Sequence, residues 1–337
     1  MRSASHRSPA RARRALIAAC LVLGAAACDT SAVGTRVKVT IPPGASLRTA
    51  ADSLHRAGLV TWPRLFRLYA KTTSDDRGIK AGTYTLRRGE SWTMLIHALR
   101  DGEGLDRRVT IPEGWNLATI VPALATALGA PVDSVDSAVR DTALLRELDV
   151  PTPTLEGYLF PDTYIFSYGT SPRVAVREMV NRFLHVWDPA WNDRLQQLAM
   201  SRNDIVTLAS IIEREARLPE ERPVISAVYH NRLLKQMALQ ADPTVEYALG
   251  GHRDRLYYRD LDVDSPYNTY RHPGLPPGPI ASPGKASLEA ALFPAAVPYL
   301  YFVASPDGHH EFRTTFKAHT AAVQEARRER REHSGRK

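Results

Sequence analysis

The residues best suited to acid–base chemistry lie in the segment ASIIEREA, where a carboxyl group directly follows an apolar run. The segment is predicted to lie within one helix, which Pro219 ends. With about 100° between successive residues, Glu213 falls at the edge of an apolar stripe, with Ala209 and Ala216 one turn away on either side. A carboxyl group against an apolar wall loses the solvation of its charged form, so its pKa rises and it can donate a proton. This pattern makes Glu213 the candidate general acid.

Two other interpretations of this helix remain open. Glu213 can pair with Arg217 at i, i+4 on a solvated face, which would contribute only about a few tenths of a kcal/mol. Glu215, on the opposite flank beside Ile211, is a weaker rival for the role of the acid, and Arg214 between them is expected to point to solvent. Asn203 or Asp204 is expected to cap the start of the helix.

Four further segments combine aromatic rings, amides, hydroxyls and Pro/Gly turns: LEGYLFPDTYIF, LQADPTVEYALG, SPYNTYRHPGLPPGPIASPG and PYLYFVASPDGHHEF. Such segments suit loops that line a groove. Sugar recognition needs rings against apolar C–H faces and fixed polar partners for hydroxyl edges. The four segments therefore predict a carbohydrate-binding groove, in which Glu156 and Asp162 hold their loop in shape by bonding backbone amides.

Composition and motifs argue against several other functions. The formal net charge of +8 resides at the two ends, and between them 33 basic residues balance 33 acidic ones, so nucleic acid is not an expected partner. The sequence has no HExxH, G-x-S-x-G or P-loop motif, and its two cysteines, Cys20 and Cys28, both precede the body of the chain. We expect no metal site, no disulfide in the body and no cofactor.

The first 28 residues have the layout of a secretory signal or membrane anchor. Arginines precede a 14-residue apolar run, Ala15 to Cys28, which is short for a span of about 20 residues. The run ends in a sequence that resembles a lipobox, which predicts lipidation of Cys28, and Asp29 resembles a signal for retention at the inner membrane. Because Ala25 stands where such sites usually have Leu, an uncleaved anchor is the alternative. Either would place the body of the chain at the inner membrane, facing the periplasm.

The predicted fold class is α+β with two units. Residues 37–86 read as strand, helix, helix and strand, an order that resembles the LysM module and implies glycan binding within residues 29–108. A small packing domain without a ligand is the alternative, and Trp62, Trp92 and Trp115 can stack on sugars or fill a core. Residues 109–325 are predicted to form a larger mixed α+β catalytic domain, followed by a charged tail at 326–337.

Six ordered motifs resemble those of the endolytic murein transglycosylase (YceG-like) family: ASIIERE, YHNRL, LQADPTVEY, YNTY, GLPPGPIASPG and PYLYFVA. The resemblance covers roughly residues 155–325 and, with the LysM-like unit, extends to about residue 37. It implies that one glutamate, matched to Glu213, is both general acid and base. That glutamate would cleave the bond between N-acetylmuramic acid and N-acetylglucosamine, while the sugar's own 6-hydroxyl closes a 1,6-anhydro ring. The implied partners are peptidoglycan strands, the inner membrane and a cell-wall synthase.

The match also places Gln240 and Asn268 near the scissile bond, and His310 at a structural or substrate-edge position. The full set of candidate substrate-binding residues is Glu156, Tyr158, Asp162, Asn231, Gln240, Asp242, Thr244, Tyr267, Asn268 and Tyr270.

Two alternative functions remain. If Asp242 flanks the cleft, a two-carboxylate muramidase that uses water becomes plausible, although an Asp-Pro pair also commonly begins a turn. The other alternative is a lipoprotein that binds glycan without cleaving it.

Overall fold

The chain divides into two compact units between Asp106 and Arg107. The computed structural model describes residues 34–72, 78–147, 150–251, 253, 256–305 and 307–334. The predicted anchor at 1–28, including Cys28, and the end of the charged tail lie outside the described residues. None of the helices within the described part combines the length and the apolar character that crossing a bilayer requires.

The first unit has the predicted strand-helix-helix-strand order, followed by a third helix. Its elements are β1 (Arg36–Ile41), α1 (Leu47–Arg56), α2 (Pro63–Thr72), β2 (Gly82–Arg87) and α3 (Trp92–Asp101). The two strands pair antiparallel, with Arg36 opposite Arg87. Ser46 caps α1 by accepting a hydrogen bond from the Thr49 amide, as the polar residue before the helix predicts.

The first unit has a hydrophobic core of its own. Ile41, Leu54, Phe66 and Tyr84 are each 0% exposed and belong to one cluster. Trp92 packs edge-on against Phe66, with ring centroids 5.8 Å apart, so it fills this core. The fold of this unit thus rests on apolar burial.

The second unit is a mixed α+β domain that is mostly helical. Its strands are β3 (Asp106–Thr110), which begins one residue before the division, β4 (Thr163–Ser167), β5 (Tyr301–Ala304) and β6 (His310–Arg313). Its helices are α4 (Leu117–Leu128), α5 (Val132–Val139), α6 (Thr142–Glu147), α7 (Pro172–Val186), α8 (Trp191–Leu198), α9 (Arg202–Glu215), α10 (Arg222–Leu234), α11 (Asp242–Ala248), α12 (Lys285–Leu292) and α13 (Phe316–Ser334). β3 pairs with β4, and β5 with β6. The α+β prediction is confirmed.

Helix α9 is the buried element of this unit. Every residue from Ile205 to Ile212 is buried, so the helix has core contacts on all sides instead of along one stripe. It packs against α10, α11 and α12. Its N-cap is Ser201, which forms a capping box with Asp204, so the prediction of Asn203 or Asp204 as the cap was wrong. The helix ends at Glu215, which brings both glutamates into its last turn.

Candidate active site

Glu213 lies in a buried charge cluster. Its side chain is 7% exposed, and its Oε1 accepts a hydrogen bond from Arg222 Nη2 at 3.2 Å. Its Oε2 accepts a hydrogen bond from the Gly284 backbone amide at 3.0 Å. The cation that pairs with it is therefore Arg222 of α10, in place of the predicted Arg217. Both carboxyl oxygens therefore accept hydrogen bonds from other parts of the chain.

Glu113 lies close to this cluster. Burial raises the pKa of Glu113, the negative charge of Glu213 raises that pKa further, and the Arg222 guanidinium lowers it. A Cβ added to Gly284 would overlap the Glu113 carboxyl group, with 1.9 Å to Oε1, so the Pro-Gly loop approaches this acid closely. The cluster ties α9, α10 and that loop together.

Glu215 has different surroundings. It lines a cavity of about 340 Å³ with Gln240, Asp242 and Tyr270. Desolvation raises the pKa of Glu215 to about 7, with the negative charge of Asp242 adding to the rise and the hydrogen bond from Tyr229 opposing it. That bond runs from the Tyr229 hydroxyl to Glu215 Oε1 at 3.1 Å. Glu215 is therefore a carboxyl group that can hold a proton near neutral pH beside open space.

The cavity is rich in hydrogen-bonding groups. Asp242 Oδ1 accepts a hydrogen bond from the Tyr270 hydroxyl at 2.5 Å. Gln240 has a φ of 51°, which is uncommon for a residue other than glycine. Its backbone amide donates to the Thr269 carbonyl. Three of the predicted substrate-binding residues, Gln240, Asp242 and Tyr270, thus surround Glu215.

Arg232 forms part of the cavity wall. Its Nε donates to the Leu300 carbonyl at 2.7 Å, and its Nη1 donates to the carbonyls of Leu239 at 2.7 Å and Ala238 at 3.3 Å. Its guanidinium also lies over the Tyr301 ring, 5.2 Å from the centroid. One side chain therefore joins α10, the loop before α11 and the start of β5.

A histidine that lines the same cavity pairs with the carboxylate of Glu221. His310, which lines it, places Nδ1 2.6 Å from Glu221 Oε2, and its backbone amide donates to Glu221 Oε1 at 2.8 Å. The His310 side chain is 4% exposed and packs edge-on against the Phe302 ring at 5.2 Å. Glu221 therefore holds both the backbone and the ring of His310.

Four predicted substrate-binding residues use their polar side chains to bond other parts of the protein. Tyr158 is 1% exposed, and its hydroxyl donates to Asn203. Asn231 donates to the carbonyls of Val297 and Tyr299, and Asn268, which is 0% exposed, donates to those of Leu261 and Val263. The Thr244 hydroxyl bonds the Ala241 carbonyl and the Thr269 hydroxyl. The placement of these four supports a role in fixing the loops that carry the cavity residues.

Glu156 and Asp162 bond backbone amides, as expected. Both oxygens of Glu156 lie within 3.2 Å of the Leu117 amide, at the start of α4, and Oε2 also accepts from the Tyr247 hydroxyl. Burial raises the pKa of Glu156 to about 7, and these hydrogen bonds oppose the rise. Asp162 accepts from the Thr163 amide at 2.7 Å and from Arg182. Tyr267 packs against the Tyr247 ring at 4.8 Å.

Sequence reasoning missed three polar residues of the cavity: Tyr229, Arg232 and His319. The first two belong to α10, three residues apart and hence on one face, and both lie in the motif YHNRL. That spacing could have indicated them. His319 lies on α13 and stacks on Tyr301, and nothing in its local sequence singles it out. Within the described residues no cluster of three or more His, Cys, Asp or Glu side chains could hold a metal ion.

Comparisons with known proteins agree with these motifs. The model of the YceG-like family matches residues 39–325. A Bacillus subtilis protein named endolytic murein transglycosylase is 35% identical over 306 residues, covering 86% of this chain and 84% of that protein. A Streptococcus pneumoniae protein of the same name is 30% identical over 299 residues, covering 80% of this chain but only 54% of its own length. A crystal structure of a YceG-like protein from Listeria monocytogenes has a TM-score of 0.61 and 33% identity, covering 85% of this chain and 98% of that one. The chain belongs to the YceG-like family.

Proposed function

We propose that this protein is an endolytic murein transglycosylase, which cleaves the bond between N-acetylmuramic acid and N-acetylglucosamine within peptidoglycan strands. The observation that carries the proposal is Glu215, a desolvated carboxyl group with a pKa of about 7 on a cavity lined by amide, carboxylate and hydroxyl groups. The names of the Bacillus and Streptococcus relatives supply the substrate class.

The reaction needs a proton on the oxygen that leaves the anomeric carbon. Glu215 would donate that proton, and the 6-hydroxyl of the muramic acid would attack the anomeric carbon to close a 1,6-anhydro ring. In the single-carboxylate scheme the same group then takes up the hydroxyl proton, so no water is consumed. A carboxyl group with a pKa of about 7 suits this cycle, because both of its protonation states are accessible near neutral pH.

The proposal assigns the acid to Glu215 in place of Glu213. Both oxygens of Glu213 accept hydrogen bonds from donors of the protein, Arg222 and the Gly284 backbone amide. Glu215, by contrast, lines the cavity that could receive a substrate. We propose instead that Glu213 fixes the last turn of α9, so that Glu215 faces the cavity.

The two glutamates give a matched pair of variants in one helical turn. We expect Glu215→Gln to lower kcat on isolated glycan strands at least about 100-fold while binding is retained. Glu213→Gln should keep measurable cleavage but lower the melting temperature, because it leaves Arg222 without its carboxylate. Full activity in Glu215→Gln, with activity lost in a stably folded Glu213→Gln, would return the assignment to Glu213.

A two-carboxylate hydrolase is the second candidate, because Asp242 lines the same cavity as Glu215. A hydrolase adds water across the bond, whereas the transglycosylase closes a ring, so mass spectrometry of the muramic ends separates them by one water molecule. We expect the lighter, anhydro ends, and Asp242→Asn should retain them. Hydrated ends that disappear in Asp242→Asn would establish the hydrolase. A glycan-binding protein without activity would form neither product.

We propose further that residues 1–28 contain a lipoprotein signal that is cleaved before Cys28, that Cys28 carries the lipid, and that the enzyme works on the periplasmic side of the inner membrane. The support is the apolar run of residues 15–28 and its lipobox-like end. Mass spectrometry of the mature N-terminus tests this directly. A chain that still begins at residue 1 in the membrane would favour the uncleaved anchor.

A further inference from the structure

The outward face of α2 combines cations with exposed apolar side chains. Leu65 and Leu68 are 52% and 61% exposed, and Trp62, just before the helix, is 64% exposed. On the other side of the helix, Phe66 and Ala70 are 0% exposed and anchor it to the core of the first unit. The exposed apolar side chains are therefore not needed to hold the helix in place.

Four cations surround a shallow cavity of about 520 Å³ on this side of the unit: Arg48, Arg64, Arg67 and Lys71. Among the described residues that line the cavity, none is acidic. Arg64, Arg67 and Lys71 follow each other at helical spacing, so they form one row on α2 beside Leu68. A row of cations flanked by leucine and tryptophan is typical of a helix that lies in the headgroup region of a bilayer.

The sequence before β1 makes a bilayer the favoured partner. The apolar run ends at Cys28, and seven residues, 29–35, separate it from β1. A connection of seven residues spans at most about 25 Å. Whatever surface receives the apolar run must therefore lie within that reach of the first unit.

We propose that this face, made of Trp62, Arg64, Leu65, Arg67, Leu68 and Lys71, docks the first unit on a bilayer that contains anionic phospholipids. The cations meet the phosphate groups, and the leucines and the tryptophan enter the interface between headgroups and acyl chains. This docking is independent of the proposed catalytic activity. It would hold the first unit against the membrane, beyond the attachment that the anchor provides.

Vesicle sedimentation tests the docking with a chain that starts at residue 29, since every residue of both cores lies at position 39 or later. We expect binding to phosphatidylglycerol-containing vesicles, weaker binding at high salt, and little binding to phosphatidylcholine alone. Arg64→Glu/Arg67→Glu should reduce binding at least about tenfold, since each cation near an anionic surface contributes about fivefold. Arg36→Glu/Arg87→Glu, a cross-strand pair of exposed cations in the same unit, makes the same charge change elsewhere and should reduce binding much less.

Leu65→Ser/Leu68→Ser separates docking from simple charge attraction, and we expect it to weaken vesicle binding without changing the charge. Equal losses in the two charge-reversal variants would overturn the proposal. So would a wild-type chain that ignores anionic vesicles but binds isolated glycan strands through Arg64 and Arg67, because that result would make the face a glycan site. All these variants should still cleave soluble glycan. The glycan assay therefore tests the proposed function, and the vesicle assay tests the docking.

The contacts between Glu221 and His310 support a second inference, which rests on the proposed function. Glu221 Oε1 accepts a hydrogen bond from the His310 backbone amide, and Glu221 Oε2 lies 2.6 Å from His310 Nδ1. If Nδ1 is the donor in this pair, a neutral ring has its free lone pair on Nε2. A carboxylate that fixes the tautomer and orientation of a histidine is the arrangement that prepares an imidazole to act as a base.

We propose that His310 is a second catalytic residue, with Glu221 as its positioning residue. As Glu215 gives its proton to the leaving oxygen and the glycosidic bond breaks, the 6-hydroxyl oxygen bonds to the anomeric carbon. The hydroxyl proton then passes to His310 Nε2, and exchange with solvent returns the two groups to their starting states. In this scheme Glu215 and His310, which line one cavity, share the two proton transfers, and His310 replaces Glu215 as the group that takes up the hydroxyl proton.

Chemical rescue tests this role. We expect His310→Ala to lose at least about 100-fold in kcat and to recover part of it in added imidazole, with anhydro ends still the product. His309→Ala is the matched control, because His309 is its neighbour and lies 3.6 Å from the same Glu221 carboxylate, and it should stay within about twofold of the wild type. Glu221→Gln should lower kcat more than it raises KM, and Glu221→Asp should recover part of the loss.

Retention of at least a third of kcat in His310→Ala would overturn the assignment. Inactivity that imidazole does not relieve, in a variant that melts at the normal temperature, would overturn it equally. A wild-type enzyme that forms no anhydro ends would instead contradict the proposed function itself.

Discussion

At the scale of single residues, the proposed function makes activity depend on the protonation of Glu215. Its pKa is raised to about 7, and an acid is active only while it holds its proton. The fraction of Glu215 that can donate a proton is therefore full well below pH 7 and falls as the pH rises through about 7. Tyr229, Asp242, Glu246 and Arg232 all influence this value, Tyr229 and Arg232 by lowering the pKa and the two acids by raising it.

Tyr229→Phe tests that dependence. The substitution removes the hydroxyl that bonds Glu215 Oε1, so the pKa of Glu215 should rise and the alkaline limb of kcat/KM should move to higher pH. Tyr164→Phe is the control, because its hydroxyl bonds the Phe160 carbonyl and should leave the limb unchanged. An alkaline limb that stays in place in Tyr229→Phe would show that another group sets it.

At the scale of elements, α9 could be predicted from sequence but the direction of its two glutamates could not. The apolar run and the end of the helix before Pro219 were readable. The apolar stripe in the sequence predicts one buried face of the helix, whereas Val206, Thr207 and Ser210 on the other faces are buried as well. In a helix that is buried all round, the partners contributed by neighbouring elements decide what each side chain meets. Arg222 and Tyr229 come from α10, and only the tertiary arrangement sends one to Glu213 and the other to Glu215.

The same limit applies to the loops. Gln240, Asp242 and Tyr270, which the quoted motifs contain, line the cavity, but residues of equal polarity in the same motifs, such as Asn268 and Thr244, are buried and bond backbone carbonyls of the loops. A side-chain amide that binds a sugar and one that hydrogen-bonds the backbone of a turn look the same in the sequence. Their burial and their partners distinguish them, and those depend on the fold.

Gly157 lies where its loop packs closely against the Pro279 loop and helix α9. Its φ is +80°, and an added Cβ would meet Pro279 at 2.4 Å and Val206 of α9 at 3.1 Å. We expect Gly157→Ala to lower the free energy of unfolding by more than about 2 kcal/mol, since strain in the left-handed region and overpacking add together. Gly169 has a similar φ of +87°, but a Cβ added to it would meet no atom within 4 Å. Gly169→Ala should therefore show only the cost of the left-handed backbone conformation. Equal losses in urea denaturation would mean that the Pro279 loop moves aside freely.

At the scale of the whole molecule, each unit has a separate hydrophobic core. Leu54 belongs to the first core and Leu124 to the second, and both are 0% exposed. Because each domain with its own core can unfold on its own, we expect calorimetry of the chain from residue 29 to show two transitions.

Leu54→Ala should lower only one of these transitions and Leu124→Ala only the other, each by the equivalent of about 2–5 kcal/mol. The two variants act as controls for each other. A single transition that both substitutions lower would show that the units unfold as one.

Arg232 has a consequence for how the cavity behaves during turnover. Its guanidinium joins α10 to the loop just after it and to Leu300, which is distant in sequence, and a guanidinium keeps its proton throughout the range in which Glu215 titrates. The wall of the cavity therefore contains a charge that does not change when Glu215 loses its proton. Under the proposed function, the hydrogen bonds of Arg232 would hold the cavity in the same shape through every reaction cycle.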